Sequence, residues 1–349
     1  MNFYKIRGKP VNKLNEILNR FFPLLITSGL ITGILLGDRV DTLQVFVPFV
    51  FAFVTFIGSL NMNFRSFKET LMTPFPILTI LLVLRVISPL WALLVGNIVF
   101  QGDAYTITGI LLFALLPTGI NSAVWAMMYK GNISLALTVI LVDTLFSPFI
   151  LPLSLTLLTG ATIEMEVGGL MTSLTQMVVI PSVIGMLVNQ VTKGNVSKTW
   201  SPRLSPFAKL GLVSVVIVNG GMVSPYFETI DAKLLLIMAT IFFLSLSGYV
   251  IAWSISKLFK FKHEDLVTNV FSGGMRNVSV GIVIAVAHFP SQVAVPVITA
   301  ILFQQTINGI IGVFLNKRAK KLEDASIECD SRIEEEVAKL SYAKGKVME

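Results

Sequence analysis

Two short stretches place polar and conformationally permissive residues in the middle of apolar segments. One is Phe271-Ser-Gly-Gly-Met-Arg-Asn-Val-Ser279, inside the run Leu266 to Phe289; the other is Pro117-Thr-Gly-Ile-Asn-Ser-Ala123, inside Tyr105 to Tyr129. In lipid, irregular backbone and full charges are tolerated only where protein or a watery cavity surrounds them, so such breaks mark sites. Three charged residues also fall within apolar segments: Arg85, Arg276 and Asp143. Each lies ten or eleven residues past the start of its segment, at Pro74, Leu266 or Ile133. At 1.5 Å per residue that is a depth of about 15 Å, half of a ~30 Å hydrocarbon core. An unpaired charge there costs at least ~2.5–3.5 kcal/mol, so the three should face one another or a wet cavity. An Arg–Asp pair that merely locks two helices together would leave the second arginine unexplained.

The chemistry available to this set is binding rather than bond-making. A guanidinium offers a planar fork to a carboxylate, and helix N-termini at the breaks add free N–H groups and positive dipole ends. Arg85, Arg276 and Asp143 together leave one positive charge, which a bound monovalent anion would neutralise. The candidate substrate-binding residues are therefore Arg276, Asn277, Asn121, Ser122, Arg85 and Ser279. Gln304 and Gln305 are secondary candidates, and Trp125 is a candidate wall, although a tryptophan more often simply packs. Asp143 is the expected carrier if a proton drives transport, and Ser272 joins it as a coupling candidate. No metal site and no cofactor are expected. The lone Cys329, in the charged tail, excludes a disulfide framework, a cysteine zinc cluster and an intramembrane thiol nucleophile. His263 in a charged loop and His288 at a segment end make no catalytic set, so an enzyme is not expected.

The elements that must position these residues follow from composition. Of 349 residues, 54% are hydrophobic and 13% charged, and the mean hydropathy is +0.79, which describes an all-α polytopic membrane protein. Ten apolar runs are expected to span: Phe21 to Leu36, Leu43 to Leu60, Pro74 to Val99, Tyr105 to Tyr129, Ile133 to Leu158, Leu170 to Val191, Ala208 to Phe227, Leu234 to Ser256, Leu266 to Phe289 and Val293 to Leu315. Lys and Arg gather in alternate connections, including Arg65, Lys68 and Lys260, while Asp38, Glu164 and Glu228 fall in the others. By the positive-inside rule both termini are then cytoplasmic, in a cell (cytoplasmic) membrane. The net charge of +7 orients the chain in the bilayer, and no nucleic-acid partner is expected. We divide the chain into a cytoplasmic leader (1–20), a transporter domain (21–315, with repeats at about 21–158 and 170–315) and a charged cytoplasmic tail (316–349). The breaks fall in the fourth and ninth runs, each followed by a proline-containing run, at Ser147-Pro148 and Val295-Pro296. An offset of five runs inverts one half relative to the other, the inverted-repeat logic of secondary transporters.

Leu116-Pro-Thr-Gly-Ile-Asn-Ser122, Lys130-Gly-Asn132, Ser147-Pro148 and Gly274-Met-Arg-Asn277 resemble the bile acid:sodium symporter family, within the wider group that includes arsenite- and auxin-type carriers. The resemblance implies ten helices in two inverted five-helix repeats, a panel and a core domain, broken helices 4 and 9 crossing at the midplane, and an organic-anion substrate. It also implies sodium ligands that this chain departs from. Ser272 and Arg276 stand where the resemblance implies a glutamate and a glutamine, and Arg85 stands near the place of another glutamine. Around the other implied ion, Ser122 is retained while Ala123, Ala136 and Ile140 replace oxygen donors. The expected function is therefore secondary active transport of a small organic anion by alternating access, proton-coupled or uncoupled rather than sodium-coupled. One alternative keeps sodium at relocated sites built from Thr118, Asn121 and Thr144. Another is a membrane receptor that binds an anion without moving it. The sequence leaves the anion, the direction of transport and the oligomeric state open.

Overall fold

The computed structural model describes residues 10–62, 74–160, 166–227 and 231–317, and among them every regular element is helical. Residues 1–9 of the expected leader, the tail from 318 onward, and Arg65, Lys68, Glu164 and Glu228 lie outside the described residues. The first helix, α1 (Pro10–Leu36), begins well before the apolar run at Phe21, so part of the expected leader is helical. A proline at its first position is preorganised for a helix start. The 3-10 segment Gly37–Phe46 leads into α2 (Val47–Ser59). Then come α3 (Pro74–Val99), α4 (Ala104–Leu115), α5 (Asn121–Met128), α6 (Ile133–Thr159), α7 (Val167–Val191), α8 (Ser201–Met222), α9 (Ala232–Leu258), α10 (His263–Gly274), α11 (Val278–His288) and α12 (Ser291–Lys317).

Eight stretches are long and apolar enough to cross a bilayer, and α4 is a shorter apolar helix. One of the eight, Leu24–Ser59, passes through the 3-10 segment. Its two arms run in opposite directions along α8. In α1, Gly29 lies against Val213 and Gly33 against the backbone of Ile217; after the turn, Val50 and Val54 lie against Gly211. Large apolar side chains such as Leu35, Phe49, Phe149, Leu153, Leu157 and Phe207 are exposed around the outside. That is the surface of a protein solvated by lipid tails.

Both expected breaks are present. α4 stops at Leu115 because Leu116, followed by Pro117, is extended (ψ 142°), the conformation that a proline imposes on the residue before it. α10 stops at Gly274, where Met275 turns extended (ψ 148°). Helical structure resumes at α11, whose N-cap Asn277 accepts from the Val280 N–H at 3.4 Å. Gly274 is required by packing: a Cβ there would collide with the ring of Tyr249, which is buried with its hydroxyl donating to Asn308 Oδ1 at 2.5 Å. In α6, Pro148 has no N–H for the Thr144 carbonyl, and the Ser147 hydroxyl donates to it instead at 2.8 Å. The start of α6 is fastened to that of α10. Asn132 N–H donates to the Glu264 carbonyl at 3.1 Å, its amide donates to Asp265 at 2.9 Å, and the Thr268 hydroxyl donates to the Asn132 carbonyl at 3.1 Å.

Candidate functional site

The two breaks meet. Asn277 N–H donates to the Pro117 carbonyl at 2.7 Å, and a Cβ on Gly119 would meet Asn277 at ordinary van der Waals distance, 3.6 Å. Each break thus turns two helix ends toward one place: the C-termini of α4 and α10, and the N-termini of α5 and α11. C-terminal ends carry negative partial charge and unpaired carbonyls, and N-terminal ends carry the opposite.

The two arginines sit on the carbonyl ends. A π-turn at Val83–Ile87 in α3 carries Arg85, a local widening of the kind often found at functional positions. Its Nε donates to Asp143 Oδ1 at 2.6 Å, its Nη1 to the Leu115 carbonyl at 2.7 Å and its Nη2 to the Asp143 carbonyl at 3.2 Å. Nη2 also lies 2.6 Å from Asp143 Oδ1. The other carboxylate oxygen, Oδ2, accepts from the Thr118 N–H at 2.7 Å, so Asp143 ties Arg85 to the first break. Arg276 Nε donates to the Ala114 carbonyl at 3.0 Å, and Nη1 donates to the carbonyls of Gly273 and Met275 at 2.8 and 3.0 Å. Its guanidinium therefore joins the last turn of α4 to the last turn of α10. The fork expected to face a ligand carboxylate is instead engaged by main-chain oxygens.

On the N-terminal side lies a cavity of ≈140 Å³. Its polar wall comes from the breaks, α6 and α12: Thr118, Asn121, Thr144, Asn277, Ser279, Gln304 and Gln305. Facing it is an apolar wall from α1, α2 and α8, with Phe22, Ile26, Phe51, Val54 and Leu212. Gln304 belongs to the floor as well, since its Oε1 accepts from the Arg276 N–H at 3.4 Å. Of the candidates read from sequence, Asn121, Asn277, Ser279, Gln304, Gln305 and Arg276 line this cavity. Arg85 and Asp143 do not line it and instead brace its floor. Ser122 is fully buried with its hydroxyl 3.4 Å from that of Thr118. Ser272 is fully buried, and its hydroxyl has no partner among the described residues. Trp125 stacks on Tyr129 and Phe271 rather than lining the cavity.

The apolar wall was not singled out from sequence, nor were Thr55, Ser59 and Ser182, which also line the cavity. The hydroxyls of Thr55 and Ser59 bond their own helix, to the carbonyls of Phe51 and Thr55 at 2.9 Å each, an arrangement that any membrane serine or threonine can adopt. Among the described residues no group of three or more His, Cys, Asp or Glu converges as a metal site. The arrangement can hold a small amphipathic molecule, with its polar end against amides and helix N-termini. It holds no nucleophile–base pair.

Residues 48–228 match the profile of the Sodium Bile acid symporter family. The chain is 47% identical over 295 residues to the uncharacterized protein YbaS of Bacillus subtilis, covering 84% of this chain and 96% of that protein. It is 22% identical over 318 residues to YocS of Bacillus subtilis, described as an uncharacterized sodium-dependent transporter, covering 90% and 97% of the two chains. It is also 23% identical over 315 residues to a rice (Oryza sativa subsp. japonica) protein described as the probable chloroplastic sodium/metabolite cotransporter BASS2, covering 89% and 74%.

Proposed function

The chain belongs to the Sodium Bile acid symporter family, whose members are membrane transporters rather than enzymes, and from that premise we propose that it carries a small organic anion by alternating access without sodium. The observation that carries this reading is the joint between the two breaks, Asn277 N–H to Pro117 O at 2.7 Å, beside a cavity that α1, α2 and α8 also line. We read α1, α2 and α8 as belonging to a panel, and the breaks with α3, α6 and α12 as belonging to a core that rocks against it. The reading counts ten crossings in two inverted sets of five, in a bacterial-type cell membrane with both termini cytoplasmic. The opposite directions of α1 and α2 along α8 support taking Leu24–Ser59 as two of them.

Preference for an anion rests on the N-termini of α5 and α11 and on the amides of Asn121 and Asn277 at the cavity. A volume of ≈140 Å³ is close to the ~150 Å³ that accommodates one benzene ring, so the substrate is a short or single-ring carboxylate rather than a sterol. Sodium independence rests on the arginines. Their guanidinium groups occupy the carbonyl ends of α4 and α10, where a mobile cation would otherwise be stabilised, and act as tethered cations. If a proton is coupled, Asp143 is its carrier, because protonation would take an oxygen from Arg85 or from the Thr118 N–H and loosen the first break.

One observation favours a second reading. Thr118, Asn121 and Thr144, the oxygen donors available for a relocated sodium site, all line the same cavity, and YocS and BASS2 are both described as sodium-linked. Counterflow of labelled small carboxylates in proteoliposomes, run in sodium and in choline buffer, separates the readings. Equal counterflow in both supports sodium-free transport. Activity only in sodium would install the relocated site, and ligand binding without counterflow in either buffer would make the protein a receptor.

A further inference from the structure

Arg276 borders a second cavity, of ≈20 Å³, lined by α3, α4, α9 and the second break. Its walls include Trp91 and Phe113, and its polar lining includes Ser88 and Ser245. Both serines are more than nine-tenths buried, and both hydroxyls lack a hydrogen-bond partner among the described residues. Serine in a membrane helix ordinarily donates to a carbonyl one turn back, as Ser147 and Ser256 do here. Two orphaned hydroxyls on different helices, α3 and α9, lining one cavity therefore call for a guest. Arg276, which lines this cavity as well as the larger one, is the candidate third donor. Its Nε and Nη1 are committed to carbonyls, whereas Nη2 makes no hydrogen bond among the described residues.

The guest's chemistry follows from the donors and the charge. Three groups that can donate, one of them cationic, suit an anion. The buried set Arg85, Asp143 and Arg276 carries one uncompensated positive charge, and such a charge is costly in a desolvated site. The volume exceeds the ~10–15 Å³ that one water requires, but it is far too small for a carboxylate with a carbon chain. We infer that this cavity is a halide site, in which chloride accepts from the Ser88 and Ser245 hydroxyls and from Arg276 Nη2. The inference does not depend on what the larger cavity carries. It assigns the leftover charge to a resident inorganic ion, leaving the substrate to be held by amides and helix ends.

The test compares thermal unfolding of the purified full chain in sodium chloride, sodium bromide and sodium gluconate at equal ionic strength. A ligand that binds only the native state stabilises it by RT ln(1 + [L]/Kd) and so raises the midpoint with the logarithm of its concentration. We expect chloride and bromide to raise it by roughly 2 °C or more over gluconate, with the rise growing as the logarithm of halide concentration. Gly248 lines the same cavity, and a Cβ there would meet nothing nearer than Gly274 at 3.7 Å. Gly248→Ala should therefore fill the cavity without a clash and melt alike in chloride and gluconate, as should the Ser88→Ala, Ser245→Ala double variant. To keep the test independent of how the variants fold, the unaltered protein is also crystallised in bromide. An anomalous peak within hydrogen-bond distance of Arg276 Nη2 supports the site. Equal midpoints in all three salts, or a water there with no bromide signal, overturns it.

Discussion

Replacing Asp143 by Asn keeps the side chain's shape and removes its charge, so it isolates what the carboxylate does for the first break. Oδ1 accepts from Arg85 Nε at 2.6 Å and Oδ2 from the Thr118 N–H at 2.7 Å. Asparagine has one acceptor oxygen, so its NH2 must point at one of these donors. The Arg85 side chain is 8% exposed and that of Asp143 0%, which leaves the guanidinium desolvated and without its counter-charge. Removing one partner of a buried pair costs ~3–5 kcal/mol. Arg85 keeps its bonds to the carbonyls of Leu115 and residue 143, so we expect the lower end, about 3 kcal/mol. The assay is unfolding of the purified protein for Asp143→Asn, Arg85→Gln and the double variant. Each single change should be strongly destabilising, and the double should cost less than their sum by about 2 kcal/mol, the coupling expected of groups in one network. Among singles that remain folded, Asp143→Asn should also weaken substrate binding, because the first break loses one of the two bonds that fix its position beside the cavity. Additive costs, or a single cost below about 1 kcal/mol, would refute the claim that this pair braces the break.

Asn121→Ala and Asn277→Ala should each raise KM for the transported anion by roughly tenfold or more, since each removes a donor from a desolvated contact; an unchanged KM would place the ligand elsewhere. Gly274→Ala should lower the unfolding midpoint, at a cost of ~1–3 kcal/mol for forcing a methyl into the ring of Tyr249, and wild-type stability would show that the ring yields. Asp103 caps α4 by accepting from the Thr106 N–H at 3.1 Å and pairs with Lys233 at 2.7 Å. Partial burial pushes its pKa up, but the bonds from Lys233 and Thr106 outweigh that and hold it below the ordinary aspartate value. Its contribution to stability is thus fully present above the ordinary value and is lost as pH falls through the lowered one. The acid-side loss should shrink in Asp103→Asn, and unfolding curves against pH would show it.

The breaks were legible because Pro117, Gly119, Gly273, Gly274 and Arg276 contradict the apolar runs around them, and lipid tolerates no such contradiction without a reason. That the three charges at that depth must be compensated was legible for the same reason, but which arginine pairs with Asp143 was not. Nor was the direction of the Arg276 side chain. Periodicity assigns faces only to regular helix, and Arg276 lies in the three residues between α10 and α11, where the backbone follows no period. The apolar wall was hidden by a different cause. In a soluble protein Phe51 would stand out against polar neighbours on its helix, but here Phe49 and Phe53 face outward, and lipid selects the same residue type as the cavity does. The early start of α1 was masked by Lys13 and Arg20, whose charges argue against a membrane span but not against a helix.

The joint between the two breaks is made by main-chain atoms, the Asn277 N–H and the Pro117 carbonyl. The targets of the bracing arginines, at Ala114, Leu115, Gly273 and Met275, are main-chain carbonyls as well. Side-chain replacement at any of these six positions removes none of the backbone atoms concerned. The crossing can therefore serve as a fixed chassis, on which the amides and hydroxyls around the cavity can be exchanged to suit a different cargo while the joint beneath them keeps its connections.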